Sequence, residues 1–334
     1  MRHARSKATF RPRWRKRTPG NIENKTSIIK PGTSSSGESI YQSQTLAWLS
    51  RVNSAGGTVD NSTINAVDAF VKELKASDSL IGKIKRLNLF CGEDLTTSLV
   101  PLIVNSNNPQ DVNHNFINSD YSETGAKAGL RDNNSAGTKY LDTGGTLADL
   151  SLDFSSGHIA VNSLGTYTAS SYQEWFGRGH ASLGSSLSSN KHHFRWGEHL
   201  LEISNSNPQS GTSMGFYLGN CTSTEISIHL NGYKKASETF SSNAPTNSVV
   251  DQKFYVFNRD VSNTSWSAAT QNFDRAINFY SVGTHLTDEE AKIVYTALNN
   301  FNQTLGRESF SAVDKEVWEW ANHRIPEVVG DQDT

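Results

Sequence analysis

Glu198 and Glu202, in the run HHFRWGEHLLEIS, are the first residues whose types and spacing could carry chemistry. Glycoside hydrolysis needs two carboxylates flanking the scissile bond. Four apart on one strand, both side chains would point to one face. A solvated strand face gives the same spacing without any reaction. The compact E-x-D-x-E and E-x-D-x-x-E strand signatures are absent. The solvated reading is preferred, and no catalytic residue is assigned.

His192, His193 and His199 lie beside these glutamates, together with Arg195 and Trp196. Imidazole and carboxylate are metal-ligand types, and an indole can stack on a sugar face. Adjacent strand residues face opposite ways, so His192 and His193 do not easily share an ion. Structural histidines are expected, with no metal site and no cofactor. The run EWFGRG adds Trp175, Phe176 and Arg178. Core packing is the expected fate of at least two of these three, and an exposed Trp–Arg strip is the functional alternative. The candidates for contact with a glycan or a partner are therefore Trp175, Arg178, His193 and Trp196. Asp142, Asp149, Asp153 and the pair Asn133-Asn134 sit near turns, where oxygen ligands for calcium can gather. No EF-hand spacing is present, and turn-forming roles are preferred. Phosphate-loop, zinc-protease and esterase motifs are absent, as is any cysteine cluster. Cys91 and Cys221 are expected to be small buried thiols.

The elements that must position these residues are mostly strands. The chain has 334 residues, 35% hydrophobic and 19% charged, with many Asn, Ser, Thr and Gly. Such residues favour turns and short strands. From about Gly125 onward, TKYLDTG, HIAVNS, YQEWFGR, HHFRWGEHLLEIS, MGFYLG, EISIHLNGY and KFYVFNR alternate with turn clusters. This spacing indicates a sandwich or jelly roll rather than βαβ repeats. Asn231-Gly232 is the clearest hairpin turn. Upstream, helices are expected in QSQTLAWLSRVNSAGG and from Asn61-Ser62 onward, where Ile64, Val67, Phe70, Val71 and Leu74 share a face. DSLIGKIKRL is predicted as a third helix, LNLFCG as a strand and DLTTSLVPL as a short helix.

Arg275–Arg307 reads as strand, corner and helix. Ile277, Phe279 and Ser281 alternate with Asn278, Tyr280 and Val282. Thr287 and Glu290 are spaced as a capping box. Val294, Ala297, Leu298, Phe301 and Leu305 form one apolar helical face, and Gly306 is placed to end the helix. This unit would clasp a β-sandwich.

The first twenty residues carry Arg2, Arg5, Lys7, Arg11, Arg13, Arg15, Lys16 and Arg17 and no acid. The remainder holds 23 basic against 33 acidic residues, a balance of −10. With Phe10 and Trp14 interleaved, this arm has the makings of a nucleic-acid contact. The acidic body argues instead for anchoring on neighbouring protein subunits. No apolar run reaches the roughly 18 residues of a membrane span, and no secretion signal is visible, so no membrane insertion is expected.

Three segments together resemble a family of phage and prophage virion proteins. They are LAWLSRVNSAGGTVDNSTINAVDAFVKELKA, KRLNLFCGEDLTTSLVPLIV and FYSVGTHLTDEEAKIVYTALNNFNQTLGR, over roughly residues 45–307. The resemblance implies a small helical lead-in before a laminin-G-like, concanavalin A-like jelly roll. It also implies a structural or attachment role near the tail of a virus particle, with glycan recognition, other virion proteins as partners and a symmetric homo-oligomer. The expected organisation is a basic arm (1–40), a helical lead-in (41–124), a mainly β jelly-roll sandwich with its closing helix (125–307) and a tail with a short helix (308–334). Localisation would be the virion. The alternatives are a glycoside hydrolase or carbohydrate-binding module on the same fold, or a nucleic-acid contact through the arm.

Overall fold

The structure is a computed structural model, and it describes residues 40–104, 108–131, 139–164, 173–178, 181–186, 191–204, 215–241, 253–257 and 276–307. The basic arm and the tryptophan-containing tail lie outside them. The described elements from Tyr41 onward belong to one compact body. In chain order they begin with α1 (Ser43–Ala55), α2 (Asn61–Lys75), α3 (Leu80–Lys83), β1 (Ile84–Asn88), α4 (Leu95–Ser98) and β2 (Val112–His114). Then follow β3 (Tyr121–Ser122), β4 (Gly129–Arg131), β5 (Tyr140–Thr146), β6 (Gly157–Leu164), β7 (Gln173–Arg178), β8 (Ala181–Ser186), β9 (Lys191–Trp196) and β10 (His199–Ser204). The chain continues through β11 (Gly215–Cys221), β12 (Glu225–Leu230), β13 (Tyr233–Thr239), β14 (Lys253–Val256), β15 (Ala276–Gly283) and α5 (Asp288–Thr304).

Two antiparallel sheets form a mainly β sandwich with flanking helices. One runs β13-β12-β11-β6-β15-β4-β3, with β1 also paired to β15; the other runs β10-β9-β8-β7-β14-β5-β2. Between them lies one apolar layer. Ile159, Val161, Tyr217, Ile228, Tyr280 and Val282 come from the first sheet, and Leu141, Phe176, Leu183, Phe194, Trp196 and Phe254 from the second.

Strand β15 is buried on both faces, because one looks into the sandwich and the other lies beneath α5. A bulge between Ile277 and Phe279 shifts its register against β6. Ile277, Tyr280 and Val282 therefore share the inner face, although strict alternation would separate them. On the outer face, Asn278 donates to the amide oxygen of Asn302 in α5 at 3.1 Å.

The clasp helix carries the expected capping box. Thr287 Oγ1 accepts from the Glu290 N–H at 3.2 Å, and Glu290 Oε2 accepts from the Thr287 N–H at 2.7 Å. At the other end Gly306 adopts φ 63°. Its N–H donates to the Gln303 carbonyl and that of Arg307 to Asn302, the paired bonds of a Schellman closure. Phe301 of α5 meets Phe70 of α2 edge-on at 6.0 Å.

Three expectations change. The segment predicted as a third helix is helical only over Leu80–Lys83; Ile84–Asn88 is a strand, because β15 offers it an edge to pair with. The lead-in is not a separate helical body, since it supplies β1, β2 and β3 to the sheets. The run HHFRWGEHLLEIS is a hairpin rather than one strand. Trp196 pairs with His199 across a two-residue turn, Gly197-Glu198, in which Gly197 takes φ 63°. The Asn231-Gly232 hairpin forms as expected, both residues at positive φ. Cys91 and Cys221 are buried free thiols.

Candidate functional site

The α5 side of the sandwich is covered by helices, whereas the outward face of the seven-stranded sheet carries polar and aromatic side chains. Pleating decides which residues stand there. Leu141, Phe176, Ala181, Leu183, Phe194, Trp196, Leu201, Phe254 and Val256 point inward. Their neighbours of opposite parity point out.

Strand register aligns seven of these outward positions in one row. Val112 pairs with Asp142, Asp142 with Tyr255, Tyr255 with Gly177, Gly177 with Ser182, Ser182 with Arg195 and Arg195 with Leu200. Six strand spacings make the row roughly 29 Å long. Its ends are apolar and open, Val112 being 51% and Leu200 43% exposed. Toward the Val112 end an aromatic ladder stands on the same face. His114 stacks on Tyr140 at 4.2 Å and 10°, and Tyr140 meets Tyr255 edge-on at 5.6 Å. Lys253 Nζ pairs with Asp142 Oδ2 at 2.7 Å, while the Gly144 N–H donates to Asp142 Oδ1 at 2.6 Å. Lys191 and Glu202 pair at 2.7 Å along the far edge.

The middle of the row is low. Gly177 has no side chain, and a β-carbon there would stand 2.5 Å from that of Ser182. Gly177 and Ser182 are both buried, and Tyr255 on one side and Arg195 on the other are half-buried. Such an arrangement can stack on ring faces and hydrogen-bond to hydroxyl groups. It assembles no nucleophile–base pair.

The sequence-derived candidates fall elsewhere. Trp196 is 0% exposed. Its indole lies against Gly157 and the rings of Phe154 and Phe194, so core packing replaces the contact role expected of it. His193 is on the outward face but only 5% exposed, which removes it as an open contact surface. His192 points inward, its Nε2 3.4 Å from the Tyr217 hydroxyl. His199 stacks on Phe240 at 3.6 Å. Trp175 and Arg178 lie on β7, with side chains outside the described residues, as are Asn133-Asn134 and the arm residues Arg2 to Arg17 with Trp14. Glu198 sits in the hairpin turn and Glu202 is held by Lys191, so the two carboxylates do not share one strand face.

The turn aspartates are each committed locally. Asp149 accepts from the Thr146 N–H at 3.0 Å, and Asp153 from the Ser155 N–H at 2.7 Å. Among the described residues no group of three or more His, Cys, Asp or Glu side chains could hold a metal ion. Nor is any helix among them long and apolar enough to cross a membrane. Sequence reading missed Tyr140, Tyr255 and His114. The available signal was the Tyr in TKYLDTG and in KFYVFNR, each next to an inward-facing residue.

Other buried polar groups hold the architecture. Arg86 Nη2 meets Asp111 Oδ1 at 2.7 Å, both side chains fully buried. The Tyr280 hydroxyl donates to the same carboxylate at 2.7 Å, and Asn88 Nδ2 donates to its other oxygen at 3.1 Å. Arg307 is also buried and donates to the Glu123, Leu89 and Phe90 carbonyls, pinning the chain just after α5 onto the lead-in.

No protein-family model matches the chain, and no curated protein does. Among solved structures, it is similar to a mutant Trypanosoma rangeli sialidase displaying trans-sialidase activity. That likeness has 7% identity over 74% of this chain and 39% of that one, at a TM-score of 0.45. It is also similar to Trypanosoma rangeli sialidase, with 8% identity, 74% and 40% coverage and a TM-score of 0.42. Another is botulinum neurotoxin type C, with 12% identity, 48% and 41% coverage and a TM-score of 0.36. The chain spans about two-fifths of these proteins' length. Likenesses this distant identify no activity, and the architecture rests on the strand pairing itself.

Proposed function

We propose that this chain is a non-enzymatic carbohydrate-binding protein whose sandwich is a jelly roll of the concanavalin A and laminin-G type. The ligand lies along the outward face of the seven-stranded sheet. The observation that carries the reading is the register row from Val112 to Leu200 with the His114–Tyr140–Tyr255 ladder at one end. Aromatic rings flanked by fixed polar groups recognise saccharides through C–H faces and hydroxyl groups at once. Binding without turnover is supported by the separation of Glu198 from Glu202 across the hairpin turn. The resemblance to phage virion proteins supplies the setting: display on a virus particle, where weak sites repeated by symmetry gain avidity.

A glycan array probed with the full chain and with Tyr255→Ala and His114→Ala tests this. The expected result is saccharide binding by the parent chain that falls at least tenfold in both variants while their melting temperatures hold. Unchanged binding in both variants would move the site off this face. Hydrolysis of a bound saccharide would replace the binding reading with an enzymatic one. Mass spectrometry of purified particles tests the setting, and absence of the chain from them would remove it.

A further inference from the structure

The four outer strands of the two sheets are not alike. An open edge offers unpaired backbone N–H and C=O groups to another strand, and proteins blunt it with charges, bulges or a covering element. β13 carries Lys234, Lys235 and Glu238, and its pairing with β12 contains a bulge. β10 carries Glu202, paired with Lys191, and the stack of His199 on Phe240 closes it toward the end of β13. β3 is only two residues long. β2 (Val112–His114) has β5 as its one partner among the described strands, and it holds no Lys, Arg, Asp, Glu or Pro.

The surface around β2 is apolar and fixed. Val112 is 51% and Ile117 60% exposed. Ile117 lies on the stretch that carries the chain from β2, the edge of one sheet, to β3, the edge of the other, so it stands on the same side of the sandwich as the open edge. Asn113 locks the intervening turn, accepting from the Phe116 N–H and donating to the Phe116 carbonyl, each at 2.9 Å. Asp120 accepts from the Ile117 N–H at 2.8 Å and is itself held by Lys139 at 2.9 Å. Side chains on so fixed a frame lose little freedom on association. The neighbouring charges are matched within the chain, Asp120 by Lys139 and Asp142 by Lys253. The basic arm therefore meets no free carboxylate at this edge. A second copy, whose residues beyond the first twenty hold 23 basic against 33 acidic side chains, meets no unmatched like charge here.

We infer that β2 pairs antiparallel with β2 of a second copy about a two-fold axis at Asn113, joining the two seven-stranded sheets edge to edge. Isologous pairing puts Val112 opposite His114 of the partner subunit, both on the outward face. Each His114, backed by Tyr140 at 4.2 Å, then packs its free side on an apolar side chain. The two Ile117 side chains meet across the axis beside the paired strands. Three residues supply few ladder hydrogen bonds, so Val112 and Ile117 carry the association as its buried anchors. The inference stands apart from the carbohydrate-binding reading.

Sedimentation velocity of the full chain over a concentration series tests it. The expected result is a dimer whose dissociation constant rises at least tenfold in Val112→Lys and in Ile117→Asp. Both positions are exposed, so melting temperatures of the dilute variants should match that of the dilute parent. Asn113→Cys should form a disulfide-linked dimer under mild oxidation, because directly opposed strand residues lie about 4.5–5.5 Å apart, within disulfide reach. Thr304→Cys, at the exposed end of α5, should not. If Asn113→Cys fails to fold, the two surface substitutions decide alone. A monomer at every concentration would overturn the inference, as would a dimer that neither substitution weakens. A dimer dissolved by salt but unchanged in Val112→Lys would belong to the basic arm and overturn it too. Cross-linking at Thr304 as efficient as at Asn113 would mark random encounter and count against it equally.

Discussion

A β-carbon on Gly157 would stand 1.9 Å from Cζ2 of Trp196, so the indole occupies the space that any side chain at 157 would need. Gly157→Ala forces the ring out of its place between the sheets. Overpacking of this kind costs about 1–3 kcal/mol. A lower urea midpoint with a changed near-ultraviolet tryptophan signal is the expected outcome. An unchanged midpoint would mean that the layer relaxes around the methyl group.

The Arg86–Asp111 pair is closed to water and shared with Tyr280. Asp111→Ala leaves a guanidinium without a counter-charge, a loss of roughly 3–5 kcal/mol. Tyr280→Phe removes hydrogen bonds but keeps the pair, and should cost about 1–3 kcal/mol. Chemical denaturation of both variants measures the order. The Asp111 change should be the more damaging.

Acid should loosen the molecule through its buried histidines. His158 donates from Nδ1 to the Thr284 carbonyl at 2.6 Å, with Nε2 3.1 Å from the Ser281 hydroxyl. Burial lowers its pKa to about 4, outweighing the Thr284 bond. Burial also lowers His229 despite Asp288, and lowers His285. The unfolded chain thus binds more protons than the folded one between about pH 6.5 and 4. The contribution is complete above about pH 6.5 and is lost as pH falls toward 4, on the order of 3 kcal/mol for His158 alone. Denaturation midpoints across that range, in the parent chain and in His158→Gln, measure it. A flat profile in the parent would refute the assignment.

Thr287→Ala opens the α5 capping box and should cost about 1 kcal/mol. Thr287→Ser should restore nearly all of it. The readout is the melting temperature, with saccharide binding unaffected because α5 lies on the opposite side of the sandwich.

The clasp was legible in the sequence because its signals are local: Thr287, Glu290 and Gly306 act within a few residues of themselves. The Asn231-Gly232 turn was legible for the same reason. Gly197-Glu198 carries a comparable signal, a glycine at the first central position, but the apolar run around it masked the turn. Ile84–Asn88 has no strand character that β15 does not impose. The register row was invisible because it takes one residue from each of seven strands, and its members have neighbours only through pairing. Trp196 and His193 show the other limit. Residue type suggests contact chemistry, while burial depends on which surface faces the sandwich and what stands over it.

Strand β15 fills the middle of its sheet but is made last among the described strands. Tyr280 meets Arg86 across 194 residues of chain. At roughly 5–20 residues per second, synthesis separates the two by on the order of 10–40 s. Throughout that interval β6 and β1 each lack their β15 partner, and the Arg86–Asp111 pair lacks the Tyr280 hydroxyl. Folding on the ribosome must therefore end with an insertion rather than an addition. A chain broken off before Ala276 would lose the centre of the sheet, leaving β13-β12-β11-β6, the β4-β3 pair and β1 with no strand pairing among them.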